Sequence, residues 1–348
     1  MEKNKQIVDA LLAWYPEHAR DLPWRKDRNP YHVWLSEIML QQTRVEAVKE
    51  YYKRFLKELP TIEDLAVVEE DRLLKLWEGL GYYNRARNLK KAAMTVVDEL
   101  DGQFPDTYEG ILALAGIGDY TAGAIGSICF DLQTPAVDGN VLRVYTRLME
   151  DASNIDKQST KKQIREQLAE VYPKGHCGML TQALMELGAT VCVPNGAPKC
   201  DVCPLQELCM ARQHDSWQQY PVRDEKKSRR IEEKTVLVLQ CDNRIAVRKR
   251  PKKGLLSGMW EFPNVEGRLT EQQAADIATK WKAAPEHLKM NYSYTHIFSH
   301  VEWHMTAYYL TCRTMCEEFQ WVTIDEMEAD VAMPSAFRPF VQVLKESK

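Results

Sequence analysis

The chain has 348 residues, 45% hydrophobic and 28% charged, enough material for two packed domains. No apolar run approaches a membrane span, and the start, MEKNKQIVDALL, reads as an amphipathic helix and not as a signal peptide. A formal net charge of −4 argues against bulk nucleic-acid affinity but leaves room for local basic faces, and neither a fixed-period repeat nor a low-complexity tract is present.

Residues 1 to about 215 read as helix after helix. Asn29-Pro30 caps a helix carrying Val33, Trp34, Ile38 and Leu40. Glu37 lies on a face otherwise occupied by Trp34, Ile38 and Met39. Desolvation there should raise its pKa and leave it a proton-bearing acid near neutrality. Thr43 with Glu46 looks like the capping box of the next helix, whose core face is marked by Val45, Val48, Tyr52, Phe55, Leu56 and Leu59.

Further on, LAGIGDYTAGAIGSICF predicts two helices meeting at a Gly-Ile-Gly turn. Asp106 with Glu109 looks like the capping box of the first, and Asp119 a natural N-cap of the second. Gly116 and Gly118 permit a sharp hairpin in which backbone approaches a ligand closely. A helix N-terminus fronted by glycine amides suits an anion, and a phosphodiester is the obvious one. After a short DLQTPA link, Asp138 opens the next helix as N-cap, where amides and helix dipole should lower its pKa. Two carboxylates pushed in opposite directions supply an acid and an anion, the pair that cleaving an N-glycosidic bond requires. Taken singly, Glu37 reads as a surface residue and Asp138 as only a cap.

Four of the nine cysteines form a pattern: Cys192, Cys200, Cys203 and Cys209 give C-x7-C-x2-C-x5-C. The count is odd and secretion is not indicated, so a disulfide framework is disfavoured. Pro194, Pro198 and Pro204 lie among them on a loop-rich segment, and the set reads as a metal site. Zinc motifs usually pair two C-x2-C knuckles, whereas staggered spacing with a nearby Cys-Pro fits an iron–sulfur cluster better. Cys129, Cys177, Cys241, Cys312 and Cys316 show no ligand spacing and read as small core residues.

Residues 216–233 lose the helical period and gain charge, so they read as a linker between domains 1–215 and 234–348. From 234 the pattern becomes α+β. TVLVLQ, RIAVRKR, HIFSHVEWHMTAYYL and FQWVTI read as strands, and LTEQQAADIATKW as the main helix. Arg244, Arg248, Lys249, Arg250, Lys252 and Lys253 crowd one segment, as a solvated surface or, more sharply, a phosphate-facing strip.

These residues carry a resemblance. PWR at 23–25, SEIMLQQTRV at 36–45, WEGLGYYNRARNL at 77–89, LAGIGDYTAGAI at 114–125, VDGN at 137–140, the four cysteines and FSH at 298–300 stand in one order. With them the chain resembles the MutY-type adenine DNA glycosylases of the endonuclease III superfamily. The resemblance implies a mainly α, two-lobed helix–hairpin–helix domain with a 4Fe–4S cluster held by the loop at 192–209, and a Nudix-like α+β domain beyond the linker. It implies a monomer that acts on double-stranded DNA, removing adenine opposite 8-oxoguanine or guanine in base excision repair. The place expected for such an enzyme is the cytoplasm, at the nucleoid in a bacterium, with no membrane partner.

Carried over by motif, Glu37 protonates the flipped adenine and Asp138 stabilises the oxocarbenium-like sugar, with Tyr120 and Asn140 in the same site. Arg20, Leu22, Trp24, Arg25 and Gln182 match pocket or strand-contact positions. Gln42, Thr43, Leu80 and Tyr82 match groups that fill or flank the gap in the base stack. Phe298, Ser299 and His300 match the reader of the opposite base, with Ser299 its best single candidate.

In the lyase branch, a lysine two residues after the hairpin's second glycine forms a Schiff base. Tyr120 stands there, so base removal by water without strong lyase activity is expected. Two departures stand out. Seven residues separate the first two cysteines where the family usually has six, an insertion absorbed around Asn195-Gly196. After Gly267, RLTEQQAADIATKW lacks the acidic cluster that would hold magnesium in a pyrophosphatase, so the second domain reads as a lesion sensor. A bifunctional lyase, a nucleotide pyrophosphohydrolase and a non-catalytic iron–sulfur DNA-binding protein are the competing readings.

Overall fold

The computed structural model describes residues 2–225 and 228–346. Lys226 and Lys227 of the expected linker, with Met1, Ser347 and Lys348, lie outside the described residues. The chain divides into two compact units. One takes the residues up to Val67 together with Asn88–Glu225; the other joins Val68–Arg87 to the residues after Glu225.

The helices preceding the sheet are α1 (Glu2–His18), α2 (Pro30–Leu40), α3 (Val45–Glu58), α4 (Ile62–Val67), α5 (Glu70–Leu76) and α6 (Asn84–Glu99). They continue with α7 (Tyr108–Ala113), α8 (Asp119–Phe130), α9 (Gly139–Met149), α10 (Gln158–Ala169), α11 (Cys177–Thr190) and α12 (Met210–Gln213). All but α5 and the first turn of α6 belong to the first unit. Asn29 caps α2 as expected, its Oδ1 accepting from the Tyr31 amide at 2.9 Å. In α3, Val48, Tyr52 and Phe55 are buried, one stripe of an amphipathic helix.

Three expected caps fall elsewhere. The residue before α3 is Arg44, with no side-chain bond, so Thr43 and Glu46 form no box. Thr107, not Asp106, caps α7, accepting from the Gly110 amide. Gly118 precedes α8, which leaves Asp119 inside the first turn, bonded to Tyr108 and Arg165. In each case a residue one position away holds the required extended backbone, which a short polar motif alone does not distinguish.

α11 organises this unit by packing on α1, α8 and α9. Leu11, Val141, Val144, Leu180, Leu184 and Leu187 share its core. Gly188 lets α11 approach the start of α9: a Cβ there would lie 2.5 Å from Asn140 Cβ, closer than real atoms come. That approach places Asn140, and Asp138 before it, against α11.

The second unit is a mixed sheet ordered β3 (Trp260–Glu261), β2 (Arg244–Lys249), β1 (Arg230–Cys241), β6 (Val301–Cys312), β5 (Pro285–Ile297). β4 (Asn264–Glu266) also pairs with β1, and β7 (Gln320–Val322) with β2. β1 and β6 run parallel and the remaining pairs antiparallel. α13 (Glu271–Lys280) follows a Thr270–Gln273 capping box and covers one face with Leu237 and Leu239. α14 (Ile324–Asp330) and α15 (Arg338–Glu346) cover the other with Val236 and Val238. Helices on both faces explain why TVLVLQ is a continuous apolar run rather than an alternating one. The fold class expected from the residues, a helical domain and an α+β domain, is the one observed.

Candidate active site

The first unit contains a cavity of about 1050 Å³. Arg20, Leu22, Trp24, Arg25, Glu37, Gln42, Thr43, Gly118, Tyr120, Asp138, Asn140 and Gln182 all line it. Residues far apart in sequence converge because α2, α8, the start of α9 and α11 each present an end or a face to the same space. Leu22 and Trp24 are buried and form floor, while Gln42 is exposed, with a left-handed backbone (φ 59°) at the end of α2.

Glu37 is only 6% exposed. The Tyr120 hydroxyl donates to its Oε2 at 2.5 Å. Burial pushes the Glu37 carboxyl up to about 7; the tyrosine bond opposes this, the Asp138 charge adds to it, and Arg25 opposes it. The expectation of an acid near neutrality therefore holds. Tyr120 is driven well above the ordinary phenol range by burial and by the two carboxylates, so it remains a neutral donor.

Asp138 is the N-cap of α9: its Oδ1 accepts from the Val141 amide at 2.7 Å and its Oδ2 from Asn140 Nδ2 at 2.7 Å. Its pKa is nevertheless raised, against expectation, because desolvation outweighs the cap, the Asn140 bonds and the Arg143 charge. The two carboxylates are thus displaced in the same direction, Glu37 as the more deeply buried member. Arg143 extends this network, donating to Asn140 Oδ1 at 2.9 Å, to the Gly188 carbonyl at 2.7 Å and to the Cys192 carbonyl at 2.8 Å.

At the hairpin between α7 and α8, Gly116 has φ 76°, and a Cβ would lie 2.5 Å from Asn88 Cβ. Gly118 has an ordinary φ of −107° with open space where a Cβ would be. The first glycine is thus required by the turn, and the second leaves its amide accessible.

The remaining candidates lie in the second unit. Leu80 is buried, whereas Tyr82 is exposed, and the Tyr82 and Ser299 hydroxyls share a hydrogen bond. Phe298 lies between His296 (ring centroids 4.6 Å apart) and Trp303 (4.9 Å), anchoring a turn that the Phe298 amide closes by donating to the Val301 carbonyl at 2.8 Å. Ser299 and His300 form its exposed tip. In the basic segment four of the six cations are paired with carboxylates, while Lys252 and Lys253 are exposed. Arg248 and Arg250 pair with Glu261, Arg244 with Glu326 and Lys249 with Asp71.

Cys192, Cys200, Cys203 and Cys209 line one small cavity of about 30 Å³, with Arg147, Arg212 and Trp217 beside them. Burial pushes the Cys203 thiol up to about 12, and the neighbouring Cys192, Cys209 and Cys200 add to the rise. Arg147 Nη1 donates to Cys192 Sγ at 3.3 Å and its guanidinium stacks over Trp217. Among the described residues, no three His, Cys, Asp or Glu side chains are arranged to hold a single metal ion. Four thiols around one space beside two cations fit a thiolate-held polynuclear group, and Asn195-Gly196, where the longer first spacing is expected to be absorbed, is exposed, with Gly196 at φ 75°. Cys177, Cys241, Cys312 and Cys316 are buried among core side chains and Cys129 is half-buried.

Sequence reasoning missed Glu186, which is 0% exposed. It accepts from Arg20 Nε at 2.6 Å, from Arg20 Nη2 at 3.0 Å and from Arg25 Nη2 at 2.7 Å. The signal was present: Glu186 is a lone acid in the apolar stretch ALMELGA, the same pattern that singled out Glu37.

Residues 35–174 match the HhH-GPD superfamily of base excision DNA repair proteins, and residues 235–343 match the NUDIX domain. An adenine DNA glycosylase of Arabidopsis thaliana is 38% identical over 82% of this chain, which spans about half of that relative (51%). The adenine DNA glycosylase of Buchnera aphidicola subsp. Schizaphis graminum is 30% identical over 96% of this chain and 97% of its own length. Among solved structures, a thermostable thymine-DNA glycosylase is 30% identical with a TM-score of 0.56, covering 61% of this chain and 98% of that one. A trapped endonuclease III–DNA covalent intermediate is 25% identical with a TM-score of 0.52 over 61% of this chain and 98% of that one.

Proposed function

The chain belongs to the adenine DNA glycosylase family, and on that premise we propose that it is a monofunctional hydrolase acting on adenine opposite 8-oxoguanine or guanine in duplex DNA. The observation that carries this reading is the Glu37–Tyr120 pair facing Asp138 in one cavity. Chemistry on a base requires the nucleotide to leave the stack and enter a pocket. There Glu37, protonated near neutrality, gives its proton to the adenine, and the C1′–N bond breaks with its electrons passing to the base. Asp138 as carboxylate faces the positive charge that develops on the sugar. Water then adds at C1′ and loses a proton, leaving an abasic strand. Tyr120 holds the Glu37 carboxyl and, being a phenol, forms no imine with the opened sugar. Arg20, Trp24, Arg25, Asn140 and Gln182 shape the pocket; Gly116 and Gly118 offer the hairpin to a phosphodiester.

In the second unit, Ser299 is the proposed reader of the opposite base, with Phe298 as its anchor. Cys192, Cys200, Cys203 and Cys209 would hold a 4Fe–4S cluster, whose iron–thiolate bonds would order the Pro-rich loop. No helix among the described residues is long and apolar enough to cross a membrane. A monomer working on DNA in the cytoplasm completes the reading.

Single-turnover excision on duplexes with A·8-oxoguanine and A·G tests it. Adenine should be released from both, and the abasic strand should remain uncut until alkali or heat is added. No release from either duplex, or an efficient borohydride-trapped adduct, would overturn the reading.

A further inference from the structure

Arg20 and Arg25 line the same cavity as Glu37, and a cation near a buried acid favours its ionised form. Arg25 does act on Glu37 in that direction. Left uncompensated, Arg20 and Arg25 would draw the proton off the group that the reaction needs protonated. Neither is uncompensated. Glu186, fully buried on α11, takes Arg20 in a two-pronged contact and Arg25 through its second oxygen. Arg25 is held further by donating to the Arg20 carbonyl at 3.3 Å and by lying over the Tyr15 ring, 5.6 Å from its centroid. The Tyr15 hydroxyl in turn donates to Gln182, one turn before Glu186 on the same helix.

We infer that Glu186 is a positioning residue: its carboxylate pins the Arg20 and Arg25 side chains against the cavity wall and offsets their charge, so that Glu37 keeps its proton for the base. This rests on the glycosylase reading and names what sustains its acid. The groups acting on Glu37 are Tyr120 on α8, Asp138 at the start of α9 and Arg25 before α2, and Glu37 in turn bears on the half-buried Cys129 of α8. Among them Arg25 is the cation, and Glu186 is the anion paired with it. A carboxylate that served packing alone would be equally well replaced by a neutral group of the same shape. A carboxylate that offsets charge would not.

The test is the pH dependence of single-turnover adenine excision at saturating enzyme, for the full chain and for Glu186→Gln, Glu186→Asp and Arg25→Gln. In the parent protein the rate should fall as pH rises through about 7, where Glu37 loses its proton. Glu186→Gln should move that limb down by about one pH unit, costing roughly tenfold above it while the rate at low pH stays within a few-fold. Glu186→Asp keeps the charge and should restore the limb. Arg25→Gln, which leaves Glu186 paired to Arg20, should move the limb upward and serves equally should Glu186→Gln not fold. A uniform loss at every pH with the limb unmoved, in either Gln variant, overturns the inference. Absence of excision by the parent protein would instead overturn the glycosylase reading beneath it.

Discussion

Glu37→Gln should make the protein inactive and, above neutral pH, more stable. The carboxyl has an ordinary value of 4.5 and stands at about 7 when folded, because burial disfavours its charge. Below pH 4.5 both folded and unfolded chains carry the proton, and the group adds no pH dependence. Between 4.5 and 7 the unfolded chain has released the proton while the folded chain retains it, so stability falls with rising pH. The slope is about 1.4 kcal/mol per pH unit, which accumulates to roughly 3 kcal/mol by pH 7 and stays constant above it. Glutamine does not titrate and can still accept from the Tyr120 hydroxyl, so the variant escapes this penalty. Denaturant melts at pH 5, 6, 7 and 8 should show the variant gaining on the parent protein up to pH 7, by about 2.5 kcal/mol over this range, and levelling off by pH 8. Excision should fall by at least the ~10²–10⁴-fold typical of a lost general acid, while DNA binding persists. Parallel stability curves for the two proteins across this range would refute the buried-acid argument; excision within a few-fold of the parent would refute the catalytic one.

Asp138→Asn keeps a capping oxygen for the Val141 amide and removes the charge, so the variant should fold normally and lose excision; a large drop in melting temperature would instead mark Asp138 as a structural cap. Because burial raises the Asp138 pKa while its role requires the anion, excision should also fail as pH drops through that raised value, giving a bell-shaped profile whose upper limb belongs to Glu37. Purified protein should be brown and contain about four irons per chain, and Cys203→Ala should lower iron content, stability and DNA affinity together; one zinc and no iron would exclude the cluster. Ser299→Ala combined with His300→Ala should reduce the preference for A·8-oxoguanine over A·G about tenfold, since a lost donor–acceptor pair at a base edge is worth ~1–3 kcal/mol. Equal slowing on both substrates would assign the turn to folding or to general DNA binding.

Much of this protein is legible in one dimension because its governing physics is local. The 3.6-residue stripe of α3 marks a helix face, Asn29-Pro30 marks a helix start, and the Gly-Ile-Gly hairpin needs Gly116 for a left-handed turn against Asn88. Four cysteines within eighteen residues can meet around one space whatever the rest of the chain does. An acid among Trp34, Ile38 and Met39 must be desolvated once α2 packs.

What the tertiary structure decided depends on groups far apart in the chain. Asp138 looked like an ionised cap because the cap is local; the burial that outweighs it comes from the helices closing the cavity. Helix starts at Thr107, Arg44 and Gly118 were set by backbone geometry, which several neighbouring polar residues could satisfy. No periodicity shows that Val68–Arg87 packs with the second unit, where Lys249 meets Asp71 and Ser299 meets Tyr82. Glu186 and its two arginines lie more than 160 positions apart, and only the packing of α11 against α1 and its neighbours brings that charge balance to bear on Glu37. Capping, periodicity and ligand spacing act over a few residues, whereas a pKa is set by everything within reach in space.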